Sequence, residues 1–105
     1  MNVELFKKEF VPRYVSGGQE KFYKNLLIAS LNKLVAISNG TYKGTPPHLE
    51  LLDYYDQLII LYRREGEGLY LEIAKTFRRA AHKVYRIMLK KRMSQPNPRF
   101  LNVVV

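Results

Sequence analysis

The sequence predicts an all-α protein: a small antiparallel bundle of three long helices, with room for a short N-terminal helix and with an extended apolar C-terminal tail. Three observations carry this reading. Apolar residues recur every three or four positions over three long stretches, and no stretch shows sustained strand alternation. Glycine and proline concentrate between those stretches, at Pro12, Gly17-Gly18, Gly40 to Pro47 and Gly66 to Gly68, and again at Pro96 and Pro98. The chain has 105 residues, 47% hydrophobic and 26% charged. That is globular composition for one domain, and a chain of this size buries about two-thirds of its unfolded surface. The expected organisation is an N-terminal segment over 1–15, a three-helix core over 16–93 and a proline-containing tail over 94–105.

In the first segment, Val3, Phe6 and Phe10 are spaced three and four apart and suit a short helix behind Asn2; a strand is the competing reading. Ser16 followed by Gln19 forms a capping-box pattern, which places the start of the next helix there. From Tyr23 through Leu26, Leu27, Ser30, Leu31 and Leu34 to Ile37 one face is apolar, while Lys21, Lys24, Asn25 and Asn32 fall mainly on the other. Asn39-Gly40 suits a helix stop, since both tolerate a left-handed backbone.

Thr45-Pro46-Pro47 opens the next helix, with Thr45 as the expected N-cap and proline in the first turn, where no intrahelical hydrogen bond is lost. Leu51, Leu52, Tyr55, Leu58, Ile59, Leu61 and Tyr62 wrap more than half of its circumference, which predicts two packing partners and a central position. Gly66-Glu67-Gly68 then makes a short connection, so the last helix should return antiparallel. That helix, about 69–93, carries Tyr70, Ile73, Phe77, Ala80, Val84 and Ile87 on a seam of alternating threes and fours, widened by Ala74, Ala81 and Met88. Of the tyrosines, Tyr23, Tyr55, Tyr62 and Tyr70 read as core-edge residues. Tyr54 and Tyr85 lie at seam margins, suited to core-edge packing or to stacking on bases.

Composition excludes several functions. Without cysteine there is no disulfide, thiolate zinc site or iron–sulfur cluster, and a reducing intracellular compartment such as the cytoplasm is expected. The longest apolar run, Leu58 to Tyr62, is five residues, far short of the roughly 18–20 a membrane span needs. Charged residues at Glu4, Lys7, Lys8 and Glu9 break any signal-peptide pattern, so Asn39-Gly40-Thr41 reads as a turn rather than a glycosylation site. No cofactor is expected, because there is no glycine-rich phosphate loop, nucleophile elbow or dinucleotide fingerprint.

The unusual property is charge. Eighteen Lys and Arg stand against nine Asp and Glu, a formal +9. Residues 67–93 carry eight basic residues and two acids, so +6 of the total lies on the last helix; residues 47–66 sum to −2. Lys75, Arg79, His82, Lys83, Arg86 and Lys90 fall within an arc of roughly 100°, opposite the seam, and Arg78 flanks it. Intrahelical stability does not account for this stripe, because Lys75–Arg79, Arg79–Lys83 and Arg86–Lys90 are like-charged pairs four apart. The helix dipole favours cations only in the last turn. A stripe of roughly 22 Å suits several phosphates of a DNA or RNA backbone. Base readout is expected to be weak, since Asn and Gln are missing from it.

Three other readings compete: a plain solvated face, an acidic protein partner on the same face, and internal pairing with Asp53 and Asp56. A protein–protein module can also use the apolar tail, with Phe100, Leu101, Val103, Val104 and Val105 as a docking strand or a contact for self-association.

Catalysis is not expected. His48 follows two prolines at a helix start and reads as an exposed first-turn residue, and His82 sits among cations that repel a metal ion. No His–x3–His pair or cysteine is present, so no metal site is expected. Glu50, Asp53 and Asp56 share a helix face without matching acids elsewhere, which makes them a solvent stripe. Arg78, Arg79 and His82 are similar in residue type to the Arg and His of the all-α HEPN nucleases. Their closer spacing sets them apart from that family. They leave an RNase using His82 with a nearby arginine as the one enzymatic alternative. Leu61-Tyr62-Arg63 matches the tripeptide of the mitochondrial LYR proteins at the wrong place, near the end of a helix, and carries no assignment.

Overall fold

Four helices, α1 (Val3–Gly17), α2 (Gln19–Ser38), α3 (Pro47–Glu65) and α4 (Gly68–Ser94), make up the fold of the computed structural model, which describes residues 3–94 and the side chains of 7–91. The all-α bundle is therefore present, with a longer first helix than the sequence suggested. The tail residues Phe100, Leu101, Val103, Val104 and Val105 lie outside the described residues.

α1 runs for 15 residues and passes through Pro12. Proline there removes the bond to the Lys8 carbonyl, but both residues are exposed, so water can satisfy that group. Ser16 is not the cap of α2; it lies in the last turn of α1. Gly18 takes the N-cap position instead, at φ 82 and ψ 164, a conformation that a residue with a Cβ rarely adopts. This one residue turns the chain between α1 and α2. The amide of Phe22 donates to its carbonyl at 3.1 Å.

The stop at Asn39-Gly40 occurs as expected, with Gly40 at φ 75. The start of α3 differs by one residue: Pro46 is the N-cap and Pro47 occupies the first turn, so Thr45 makes no cap hydrogen bond. Two rigid prolines preset the backbone there, which leaves the hydroxyl of Thr45 one residue too early to reach the first-turn amides. At the other end Gly66, at φ 75, accepts the left-handed cap and its amide donates to the Tyr62 carbonyl at 2.7 Å. The chain reverses, and α3 and α4 pack antiparallel: His48, in the first turn of α3, meets Tyr85 near the far end of α4.

The most central helix is α4, not α3. It packs most extensively on α3 and next on α2. Ile73, Ala74, Phe77, Ala80 and Val84 are wholly inaccessible, and Thr76 beside them satisfies its hydroxyl by donating to the Glu72 carbonyl at 3.1 Å. The physical reason is side-chain size. Ala74, Ala80 and Ala81 let two helices approach α4 closely, whereas the wide apolar arc of α3 is built partly of tyrosines, Tyr55 and Tyr62, that remain half-buried.

α1 is held to the bundle by rings. Phe10 and Tyr14 of α1, Phe22 of α2, Tyr54 of α3 and Phe77 of α4 form one cluster in which neighbouring centroids lie 5.4 to 6.2 Å apart. Such tilted and edge-on pairs add to the burial of each ring. Lys7 adds an ion pair to Glu65, 3.0 Å away at the end of α3.

Candidate nucleic-acid interface

The seam of α4 faces inward, so its opposite side faces water. Lys75, Arg78, Arg79, His82, Lys83, Arg86 and Lys90 are all exposed. The 3.6-residue period brings them together on one face along about four turns of a rigid helix.

They are not equivalent. Arg79 points toward α2, where its Nη1 donates to Glu20 at 2.8 Å and its guanidinium carbon lies 3.9 Å from the centroid of the Tyr23 ring. The hydrogen bond to Glu20 raises its pKa further, against the effect of desolvation. Lys75, Arg78, Lys83, Arg86 and Lys90 make no ion pair with any described residue. Internal pairing with Asp53 and Asp56 does not occur, because those acids sit on the exposed side of α3. The acid that does engage the stripe, Glu20, is 59 residues away in sequence.

His82 is exposed within the stripe. No described residue gives its ring a hydrogen bond, ion pair or ring contact. His48 is half-buried rather than exposed, and its ring packs against Tyr85 with centroids 5.4 Å apart and planes 39° apart. Of the two marginal tyrosines, Tyr54 joins the ring cluster and burial pushes its hydroxyl above the usual 10.0. Tyr85 stays exposed.

Two features escaped the sequence reading. Phe22 lies outside the expected apolar face of α2 yet is among its most buried residues, because α1 covers a second side of that helix. That same arrangement leaves a cleft of about 360 Å³ between α1 and α2, with Phe22, Phe10 and Leu26 in its lining and Arg13 and Lys21 beside them. Phe22, an aromatic residue off the expected apolar stripe of α2, was the available signal for it. Among the described residues, no cluster of three or more His, Asp or Glu is placed to hold a metal ion, and no helix is long and apolar enough to cross a membrane.

No family model matches this chain, and no curated protein or solved structure is significantly similar to it.

Proposed function

We propose that the protein is a non-catalytic, nucleic-acid-associated accessory or regulatory protein that grips the phosphate backbone of DNA or RNA through the outer face of α4, with little sequence preference. The observation that carries this reading is that Lys75, Arg78, Lys83, Arg86 and Lys90 are exposed on one rigid face with no ion pair among the described residues. Like charges held side by side without counter-charges cost stability, and an anionic ligand relieves that cost. Phosphates spaced along a strand would replace condensed counterions, so binding would be driven by their release. A reducing intracellular compartment, such as the cytoplasm, suits a chain without cysteine.

The test is binding to a labelled random-sequence duplex and single strand over about 50 to 300 mM salt. Five engaged phosphates predict that log affinity falls against log salt on duplex with a slope of roughly −4 to −5. A variant with Lys75, Lys83, Arg86 and Lys90 changed to Gln should flatten that slope to about −1. Absence of binding at low salt would overturn the reading. It would point instead to a protein–protein module, either an acidic partner on this face or docking or self-association through the tail, for which truncation after Pro98 is the next variant. A tail-mediated apolar contact would show weak salt dependence.

A further inference from the structure

Tyr85 is the only exposed residue among the phenylalanines and tyrosines whose side chains are described, and it stands at the edge of the basic face. It is 45% accessible, while Phe22, Tyr14 and Tyr70 are buried and Tyr23, Tyr54 and Tyr62 are half-buried. Its position is not that of a core-edge residue whose hydroxyl alone reaches water. His48 packs against it from α3 at 5.4 Å between centroids, which restrains its rotamer without covering it. His82 lies one turn before it on the same helix side, Arg78 two turns before it, and Arg86 follows it directly; all three are exposed. A restrained, accessible ring bordered by the guanidinium groups of Arg78 and Arg86 and by the imidazole of His82 is the arrangement by which proteins hold unpaired bases: the ring offers a stacking platform and its polar neighbours take the flanking phosphates. A duplex presents no free base face along its sides, so it would leave this ring unused.

We propose that the preferred ligand of the α4 face is a single-stranded nucleic-acid segment, with one base stacked on Tyr85 and the flanking phosphates held by Arg78, His82 and Arg86. The proposal rests on the reading that this face binds nucleic acid. It adds a stacking contact that tolerates any base, since every base has a π-face, and so remains consistent with weak sequence preference.

The test uses the full chain and three ligands of equal length: a single strand of about 15 nucleotides, an abasic strand with the same phosphates, and the corresponding duplex. Wild type should bind the base-bearing strand about fivefold to a hundredfold tighter than the abasic one. Tyr85→Ala should close that gap while leaving affinity for the abasic strand and the duplex unchanged, and Tyr85→Phe should keep it. Circular dichroism on each variant checks that the helices are retained. If wild type binds both strands equally, or the gap survives in Tyr85→Ala, the stacking proposal falls while phosphate binding by α4 stands. An equal loss on all three ligands in Tyr85→Ala would also overturn it, by showing that the ring acts without a base. Failure of wild type to bind any of the three would remove both readings.

Discussion

Arg79 lies over the ring of Tyr23, its guanidinium carbon 3.9 Å from the ring centroid, and this contact joins the basic face of α4 to α2. Glu20 completes the arrangement by accepting a hydrogen bond from the same guanidinium at 2.8 Å. Arg79 is thus already occupied by its own protein, while Lys83, one turn further along, is not. The two residues should behave differently in binding. Lys83→Gln should lower the salt slope of nucleic-acid binding by about one, and Arg79→Gln by clearly less. Arg79→Gln should instead lower the melting temperature, which Lys83→Gln should leave in place.

Phe77 has no accessible surface and touches the rings of Phe10, Phe22 and Tyr54, one from each of the other helices. Phe77→Ala should therefore cost about 3–5 kcal/mol, a large share of the roughly 5–15 kcal/mol that holds a domain folded. Urea unfolding followed by circular dichroism should show a midpoint far below wild type, or no folded baseline at all. Tyr85→Ala, at an exposed site, should stay within about 0.5 kcal/mol of wild type.

The Lys7–Glu65 pair makes stability depend on pH at both ends of the scale. Its hydrogen bonds from Lys7 and Arg64 hold the Glu65 carboxyl below its ordinary 4.5. The stabilisation is therefore complete above pH 4.5 and fades as pH falls through the lowered value. Lys7 is raised above 10.5, chiefly by its hydrogen bond to Glu65, so its share is complete below pH 10.5 and fades as pH rises through the raised value. Glu65→Gln should lower the melting temperature at neutral pH and flatten both limbs of its pH profile.

Gly18 sets the angle between α1 and α2 with φ 82 and ψ 164, and a Cβ built there meets nothing within 4 Å. The obstacle to substitution is thus the backbone alone. Gly18→Ala should cost about 1–3 kcal/mol. Asparagine should not rescue it, because ψ 164 lies outside the left-handed helical region that asparagine tolerates. Chemical denaturation of both variants checks the pair.

Much of the bundle was legible because helix periodicity is a local property. The seam of α4 from Tyr70 to Val84 is buried as its spacing required, and Gly66 ends α3 as its backbone freedom allowed. The exposure of Lys75 to Lys90 follows from the same periodicity, since a helix that buries one side must present the other. The capping signals at Ser16 and Thr45 misled because each is a short pattern that competes with its neighbours. A glycine pair ended α1 later than expected, and a proline pair displaced the cap of α3.

The partners within the structure were not legible, because contacts between helices depend on distances that no single helix specifies. Glu20 and Arg79 read as unrelated surface charges until α2 packs beside α4. Phe10, Phe22 and Tyr54 belong to three separate helices, and only the turn at Gly18, which brings α1 onto the bundle, gathers them around Phe77. Burial of the small residues Ala74, Ala80 and Ala81 made α4 the central helix, a role the wider apolar arc of α3 suggested for α3. By itself, then, the sequence determined which face of each long helix is apolar and that the charge gathers on the last one, for both depend only on the 3.6-residue period. The tertiary structure decided which of those cations are already satisfied and which aromatic ring stays in water. Both depend on what the neighbouring helices bring within a few ångströms.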